Sequence, residues 1–211
     1  VGGGEGGGGG RRQGKLTVET RTHYANAIGM LELGFQALKN KHTNFGIWKS
    51  ISMELAGVLK TFGDCLAEEV LEGGGWRHAE GADREDGQLV VDLLLKAVGL
   101  LEGVGERPLA ASVCLSLGKF YAASLQASRP RHEAAEAQLR RAATLALEGG
   151  GDRRVYLGAV AALANLHRSP HAPHPRPQAL KLCAQTLAMP LRLPKPAQAE
   201  GGERASEGME G

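Results

Sequence analysis

The stretch Cys114–Leu147, CLSLGKFYAASLQASRPRHEAAEAQLRRAATLAL, decides the fold of this chain. Apolar and small residues recur at helical spacing on both sides of Ser128-Arg129-Pro130, which predicts a break between two helices. Small side chains at such positions let two antiparallel helices pack closely. The stretch therefore predicts one helix–turn–helix unit, and its packing positions are Leu117, Gly118, Tyr121, Ala135, Leu139 and Ala142.

The order of these residues, Leu-Gly-x-x-Tyr and then Ala-x-x-x-Leu-x-x-Ala, resembles one tetratricopeptide repeat. A single repeat of this kind cannot bury its apolar face alone, so it implies neighbouring units. Stacked units form an extended concave surface that binds partners. The pattern therefore favours a binding scaffold over a catalyst.

Helical periodicity occurs in seven segments of the chain, and no segment shows convincing strand alternation. The predicted helices span residues 22–39, 46–71, 88–101, 108–127, 132–147, 153–167 and 178–188. Pro108 suits the first turn of the fourth helix, and Asp152 suits the N-cap of the sixth. The prediction is an all-α domain of antiparallel helix pairs, stacked as an irregular tetratricopeptide-like array.

The seven predicted helices divide into three pairs: second with third, fourth with fifth, and sixth with seventh. The first helix is interpreted as the second half of a unit whose first half is missing. Inserted loops shift the spacing away from the usual repeat of about 34 residues. A plain bundle of the same helices is therefore the alternative architecture.

Low-complexity segments set the predicted domain boundaries. Residues 1–20 form a Gly-rich leader, predicted to be disordered because it offers few apolar side chains to bury. The helical domain covers residues 21–189, with a mobile loop at 73–87 and a Pro/His linker at 169–177. Residues 190–211 are predicted to be a disordered tail. Because the chain begins with Val1, we interpret it as a fragment of a longer protein.

Composition limits the class of protein. The chain has 25 basic and 23 acidic residues among 211, which is too even a balance for a general nucleic-acid binder. Its three cysteines, Cys65, Cys114 and Cys183, are dispersed in apolar helical patterns, which indicates reduced thiols rather than disulfides. No run approaches the length of a membrane span, and the Gly-rich start does not resemble a signal peptide. We expect a soluble intracellular protein without a membrane partner.

The run Gly46–Leu55, GIWKSISMEL, resembles the repeat region of the erythroid differentiation-related factor family. That family has a similar Ile-Trp-x-Ser-x-x-x-Glu-Leu run at the start of a long helix. The resemblance continues at Arg107-Pro108-Leu109 and at the later Leu-x-x-x-Tyr-x-x-Ser-Leu ending, and it covers roughly residues 45–145. It implies a large, mostly nuclear protein with tetratricopeptide-like repeats, linked to transcriptional regulation and without catalysis.

Five residues are candidate contacts for a partner, namely Trp48, Lys49, Lys119, Arg140 and Arg141. Tryptophan anchors many interfaces, but the place of Trp48 in an apolar stripe favours core packing. The two lysines lie on predicted leading helices. The two arginines belong to the basic region 129–154, where interleaved acidic residues favour mutual screening over a nucleic-acid patch.

Three histidines, His167, His171 and His174, form the densest histidine cluster in the sequence. Neighbouring prolines separate them along an extended segment without a nearby cysteine or carboxylate, so we predict a solvated linker and no metal site. No catalytic motif and no phosphate-binding loop is present, and we predict neither enzymatic activity nor a cofactor.

Some tetratricopeptide domains clamp a terminal carboxylate with Lys and Asn on their leading helices. The matching positions pair Lys49 with Met53, Leu115 with Lys119, and Ala161 with Asn165. No unit carries the Lys–Asn pair at these matching positions, which disfavours a clamp.

The function predicted from the sequence is a non-catalytic scaffold that binds a peptide or helix of another protein in its concave groove. By resemblance it is part of a larger nuclear protein linked to transcriptional regulation, although a cytoplasmic location stays open. Two alternatives stand beside it. One is a helical-bundle subunit with a structural or oligomerisation role. The other, nucleic-acid binding through the arginine-rich region, is disfavoured by the mixed charge.

Overall fold

A computed structural model describes residues 16–38, 44–72, 82–124, 129–148 and 152–168, together with the isolated positions 177, 181 and 184. Within these residues the fold is all-helical, with six helices and no strand. The helices are α1 (Val18–Ala37), α2 (Phe45–Glu72), α3 (Ala82–Gly103), α4 (Arg107–Ala123), α5 (Arg129–Glu148) and α6 (Arg153–Arg168). The all-α prediction is confirmed.

Several sequence predictions fall on residues outside the described ranges. The predicted seventh helix, at 178–188, lies outside them apart from positions 181 and 184, so the count of described helices is six rather than seven. Most of the leader, most of the linker at 169–177 and the tail at 190–211 also lie outside them. None of the described helices is long and apolar enough to cross a membrane.

Local capping explains where two of the helices begin. The Oγ1 atom of Thr17 accepts a hydrogen bond from the backbone N–H of Thr20 at 3.1 Å, so α1 begins at Val18, inside the stretch assigned to the leader. The Oδ1 atom of Asp152 accepts from the N–H groups of Arg154 and Val155 at 3.0 and 3.1 Å. The predicted N-cap of α6 is therefore confirmed.

Two other helix starts differ from the prediction. Helix α3 begins at Ala82 rather than at 88, and its first turns include Asp86, whose carboxylate accepts hydrogen bonds from the Arg21 guanidinium of α1. Helix α5 begins at Arg129 rather than at 132. Pro130 lies in its first turn, where a missing N–H leaves no intrahelical hydrogen bond unmade. Two residues of the predicted break, Arg129 and Pro130, thus belong to the first turn of α5.

Consecutive helices pack against each other along the whole described chain. The most extensive contacts join α4 to α5 and α2 to α3, followed by α5 to α6. Among the described helices, two further pairs make contact without being consecutive, α2 with α4 and α4 with α6. This packing is compatible with a helical repeat in which alternate helices share one face.

The main core lies where α2, α3 and α4 meet. Its large side chains are almost fully buried and include Leu55, Leu59, Leu66, Leu94, Leu117 and Phe120. Helix α1 contributes no buried residue and instead lies on the outside of this core. The Tyr24 ring of α1 stacks on the Phe62 ring of α2 with 4.7 Å between their centroids. Arg21 adds ion pairs to Glu69 of α2 and Asp86 of α3.

The interface between α4 and α5 contains a very close approach at Gly118. A Cβ atom added there would lie 2.7 Å from both Cγ and Cδ2 of Leu139. Ala135 and Ala142 of α5 are fully buried on the same side as Leu139, and Tyr121 of α4 is half-buried. The absence of a side chain at Gly118 therefore sets the distance between these two helices.

Candidate functional site

An open recess of about 430 Å³ lies between α4 and α6. It is lined by Lys119 and Ala122 of α4 and by Gly158, Ala161, Ala162, Asn165 and Leu166 of α6. Small residues dominate the lining and leave the space free. Pockets that bind small ligands typically have volumes of roughly 300–1,000 Å³, and the volume of this recess lies within that range.

Gly158 keeps α4 and α6 close together at one side of the recess. A Cβ atom at this position would lie 3.1 Å from Cδ2 of Leu115, which is closer than side chains normally approach. The bare backbone of α6 at Gly158 therefore contacts the Leu115 side chain of α4 directly. The next turns of α6 present Ala161, Ala162 and Asn165 to the recess.

Two polar side chains, Lys119 and Asn165, contribute to this mostly apolar recess, and both residues are exposed. Within the described part of the chain the Lys119 ammonium forms no ion pair. A carboxylate clamp of the tetratricopeptide kind needs Lys and Asn at matching positions of one leading helix, and the sequence lacks that pair. In the structure Lys119 of α4 and Asn165 of α6 line the same recess, because the two helices pack side by side.

Trp48 and Lys49 do not lie in this recess. Trp48 is only 8% exposed, and its ring contacts those of Phe35 and Phe45, with 5.7 and 5.9 Å between ring centroids. The Nζ atom of Lys49 lies 2.6 Å from Oε1 of Glu106. The tryptophan is therefore part of an aromatic contact between α1 and α2, and the lysine is part of an ion pair.

The arginines of α5 are also paired with carboxylates. Arg140 donates from Nε and Nη2 to Oε1 of Glu136 at 2.9 and 2.7 Å. The Nη2 atom of Arg141 lies 2.6 Å from Oε2 of Glu102 on α3. These pairs place a compensating negative charge beside each cation, as expected for a screened surface rather than a basic patch.

A second cluster of polar groups joins α5 to α6. His132 and Glu136 lie four residues apart on α5, and His167 lies near the end of α6. One potential ligand atom from each residue lies within 4.8 Å of the other two. The Nε2 atom of His167 is 3.8 Å from Oε1 of Glu136, and the two imidazole centroids are 6.1 Å apart.

Both imidazoles are buried, with His167 1% and His132 5% exposed. Nε2 of His132 and both ring nitrogens of His167 have no hydrogen-bond partner among the described residues. A buried polar atom without a partner costs about 1–3 kcal/mol. Burial lowers the pKa of His167, an effect opposed by Glu136 and reinforced by His132 and Arg140. This favours a neutral ring with a lone pair on one nitrogen.

His167 has neighbours in the structure that its place in the sequence did not indicate. The structure places it beside His132 and Glu136, whereas His171 and His174, its neighbours in the predicted histidine cluster, lie outside the described residues. The signal present in the sequence was the spacing His-x-x-x-Glu, which puts both side chains on one face of a helix. The contact with His167 depends on how α5 and α6 pack, which this spacing does not reveal.

The described cysteines do not take part in either arrangement. Cys114 is fully buried, and burial raises the pKa of its thiol to about 11. A thiol of that kind carries little thiolate near neutral pH and is a poor nucleophile. Cys65 is a half-buried free thiol, and Cys183 lies outside the described residues.

Comparison with known protein families, with curated proteins and with solved structures finds no match to this chain.

Proposed function

We propose that this chain is a non-catalytic scaffold that binds a short carboxylate-bearing segment of another protein in the recess between α4 and α6. The observation that supports this most directly is the pair formed by Lys119 and Asn165 at a recess otherwise lined by small and apolar residues. An ammonium that forms no ion pair with another described residue, together with an amide that lines the same recess, is suited to bind a carboxylate through charge-assisted hydrogen bonds.

The shape of the recess supports a peptide as the occupant. Alanine and glycine on its α6 side leave room for a main chain or a compact apolar side chain. The recess is open to solvent on one side, so a longer segment can continue beyond it. Apolar contact would supply affinity, and the lysine and the amide would fix the orientation of the carboxylate.

The order of the helices also supports a binding face. Helices α2, α4 and α6 were predicted to be the leading helices of the pairs, and α4 contacts both α2 and α6. In a tetratricopeptide-like array the leading helices line the concave surface. By its resemblance to the erythroid differentiation-related factor family, the chain would act within a larger nuclear protein linked to transcriptional regulation.

The alternative role as a structural subunit is favoured by one different observation. Met30 and Leu33 of α1 are 75% and 67% exposed, and they lie about one turn apart on the same side of the helix. A second copy of the chain could cover them. Sedimentation equilibrium of the wild type and of Leu33→Glu distinguishes the two roles, because only a subunit would dissociate on this substitution.

The recess can be tested with a library of random peptides that have free C-terminal carboxylates and a matched library with amidated ends. We expect the full chain to select peptides with a carboxylate, either terminal or in an acidic side chain. Lys119→Gln should lower the affinity for the selected peptides about tenfold, which corresponds to about 1.4 kcal/mol of binding free energy. Lys181→Gln removes the same charge at an exposed position outside the recess and should leave binding unchanged.

Blocking the recess provides an independent test. Ala161 is exposed and lines the recess, so Ala161→Phe should fill part of it without disturbing the core. We expect this variant to fold normally by circular dichroism and to lose the selected peptides. Peptides that bind equally well to wild type, Lys119→Gln and Ala161→Phe would place the binding site elsewhere.

A further inference from the structure

We propose that His132, Glu136 and His167 form a site for a divalent transition-metal ion, zinc in the first place, which cross-links α5 to α6. This site is separate from the recess and does not depend on the function proposed for it. The inference rests on the convergence of three metal-ligating side chains and on three buried imidazole nitrogens that have no hydrogen-bond partner among the described residues.

The backbone already places the three side chains around a common point. His132 and Glu136 project from one face of α5, one turn apart, and His167 approaches them from α6. Zinc lies about 2.0–2.1 Å from each ligand atom, so ligand atoms of a tetrahedral site are about 3.4 Å apart. The separations here are at most 4.8 Å, and 3.8 Å between His167 Nε2 and Glu136 Oε1. Side-chain rotations that bring the ligand atoms roughly 1 Å closer to one another would close the site.

The unpartnered nitrogens indicate a missing partner rather than ordinary core packing. Buried polar atoms in folded proteins almost always have a hydrogen-bond partner. Here Nε2 of His132 and both nitrogens of His167 have none among the described residues, although the rings are nearly inaccessible to solvent. A metal ion would engage one nitrogen of each ring.

The types of ligand select the class of metal. Two imidazole nitrogens and one carboxylate oxygen are a ligand set that binds zinc with a fourth position for water. Magnesium and calcium prefer sites made of oxygen ligands. Arg140 donates both of its hydrogen bonds to Oε1 of Glu136, which is also the oxygen that lies 3.8 Å from Nε2 of His167. Oε2 accepts neither hydrogen bond, so a turn of the carboxylate group would offer Oε2 to the ion as the ligand atom.

The test uses the full chain, stripped with a chelator and titrated with zinc chloride in a calorimeter. We expect about one equivalent of zinc to bind with an affinity that falls at least about tenfold in His132→Gln and in His167→Gln. His23→Gln is the matched control, because His23 is a highly exposed histidine of α1. The proposal is overturned if the wild type binds no zinc or if both cluster variants bind as the wild type does.

Cobalt provides a readout that does not depend on loss of binding. In His167→Cys a sulfur replaces a nitrogen ligand, so the cobalt-loaded variant should acquire a thiolate-to-cobalt charge-transfer band that the wild type lacks. The same band in the wild type would assign the ion to a cysteine and contradict the proposal. Glu136→Gln, which keeps the size of a half-buried side chain, should also weaken zinc binding if the helices fold normally by circular dichroism.

Two further experiments distinguish this site from other groups of the chain that could bind a metal ion. The double variant His171→Gln/His174→Gln should bind zinc as the wild type does. If this variant lost zinc binding, the ion would bind to those two histidines, and the proposal would be overturned. Magnesium chloride in excess should not compete with zinc. Competition by magnesium would indicate carboxylates rather than imidazoles and would also overturn the proposal.

Discussion

Replacing Gly118 by alanine should weaken the contact between α4 and α5. The new Cβ atom would lie 2.7 Å from two side-chain carbons of Leu139 and 3.2 Å from its backbone nitrogen. Carbon atoms pack best at about 3.5–4.0 Å, and because Leu139 is fully buried, the side chains around it must move if it does. Overpacking of this kind costs about 1–3 kcal/mol.

Helix propensity acts in the opposite direction and must be measured separately. Alanine favours a helix over glycine by about 1 kcal/mol, which offsets part of the overpacking at Gly118. Gly99 of α3 is the matched control, because a Cβ atom there meets nothing within 4 Å. Gly99→Ala should therefore gain only the stabilisation of about 1 kcal/mol that the higher helix propensity of alanine provides. The difference in unfolding free energy between the two variants should be about 1–3 kcal/mol, with Gly118→Ala the less stable.

Urea unfolding followed by far-UV circular dichroism measures both variants on one scale. A double-mutant cycle then assigns the effect to Leu139: in the Leu139→Ala background, Gly118→Ala should lose most of its cost, because both clashing carbons are gone. Equal stabilities for Gly118→Ala and Gly99→Ala would refute the close approach. An unchanged cost in the Leu139→Ala background would assign the effect to other neighbours.

Three further predictions concern a thiol, a cap and an ion pair. Because the pKa of Cys114 is raised to about 11, the folded state keeps its proton at pH values where the unfolded thiol loses it. Stability should therefore fall as the pH rises from the ordinary thiol pKa towards 11, at most about 1.4 kcal/mol per pH unit, and this slope should diminish in Cys114→Ala. The same dependence of stability on pH in Cys114→Ala and in the wild type would contradict this prediction. Asp152→Ala should lower the free energy of unfolding in urea by about 1 kcal/mol, whereas Asp152→Asn, which keeps a hydrogen-bond acceptor, should change it little. If both variants lost the same stability, the Asp152 side chain would not act as a cap. Arg21→Gln should speed hydrogen exchange in α1 but not in α4, since Arg21 ties α1 to α2 and α3; uniform acceleration would show that α1 does not open on its own.

The elements that the sequence predicted well are those set by neighbouring residues. The periodicity of apolar side chains located all six described helices, and Asp152 marked the start of α6 because a cap acts on the next two or three N–H groups. The start of α3 was missed because it is supported by an ion pair between Asp86 and Arg21, 65 residues apart. Pro130 was interpreted as a breaker, although a proline in the first turn is compatible with a helix.

Both candidate sites depend on how helices lie against each other, which periodicity does not determine. Lys119 and Asn165 come from α4 and α6, and His132 and His167 come from α5 and α6. The spacing within each helix was visible in the sequence. The rotation and axial offset of α6 against its neighbours were not, and they decide which side chains meet.

The last turns of α6 connect the two sites. Asn165 and His167 are two residues apart, about 200° around the helix axis, so one lies at the recess beside α4 while the other lies against α5. Because both residues belong to the same turns of α6, a ligand at either site that shifts the helix also moves the residue at the other site. An ion and a peptide that each favour a particular position of α6 would therefore be thermodynamically linked. By reciprocity, the factor by which the ion changes the affinity for the peptide equals the factor by which the peptide changes the affinity for the ion.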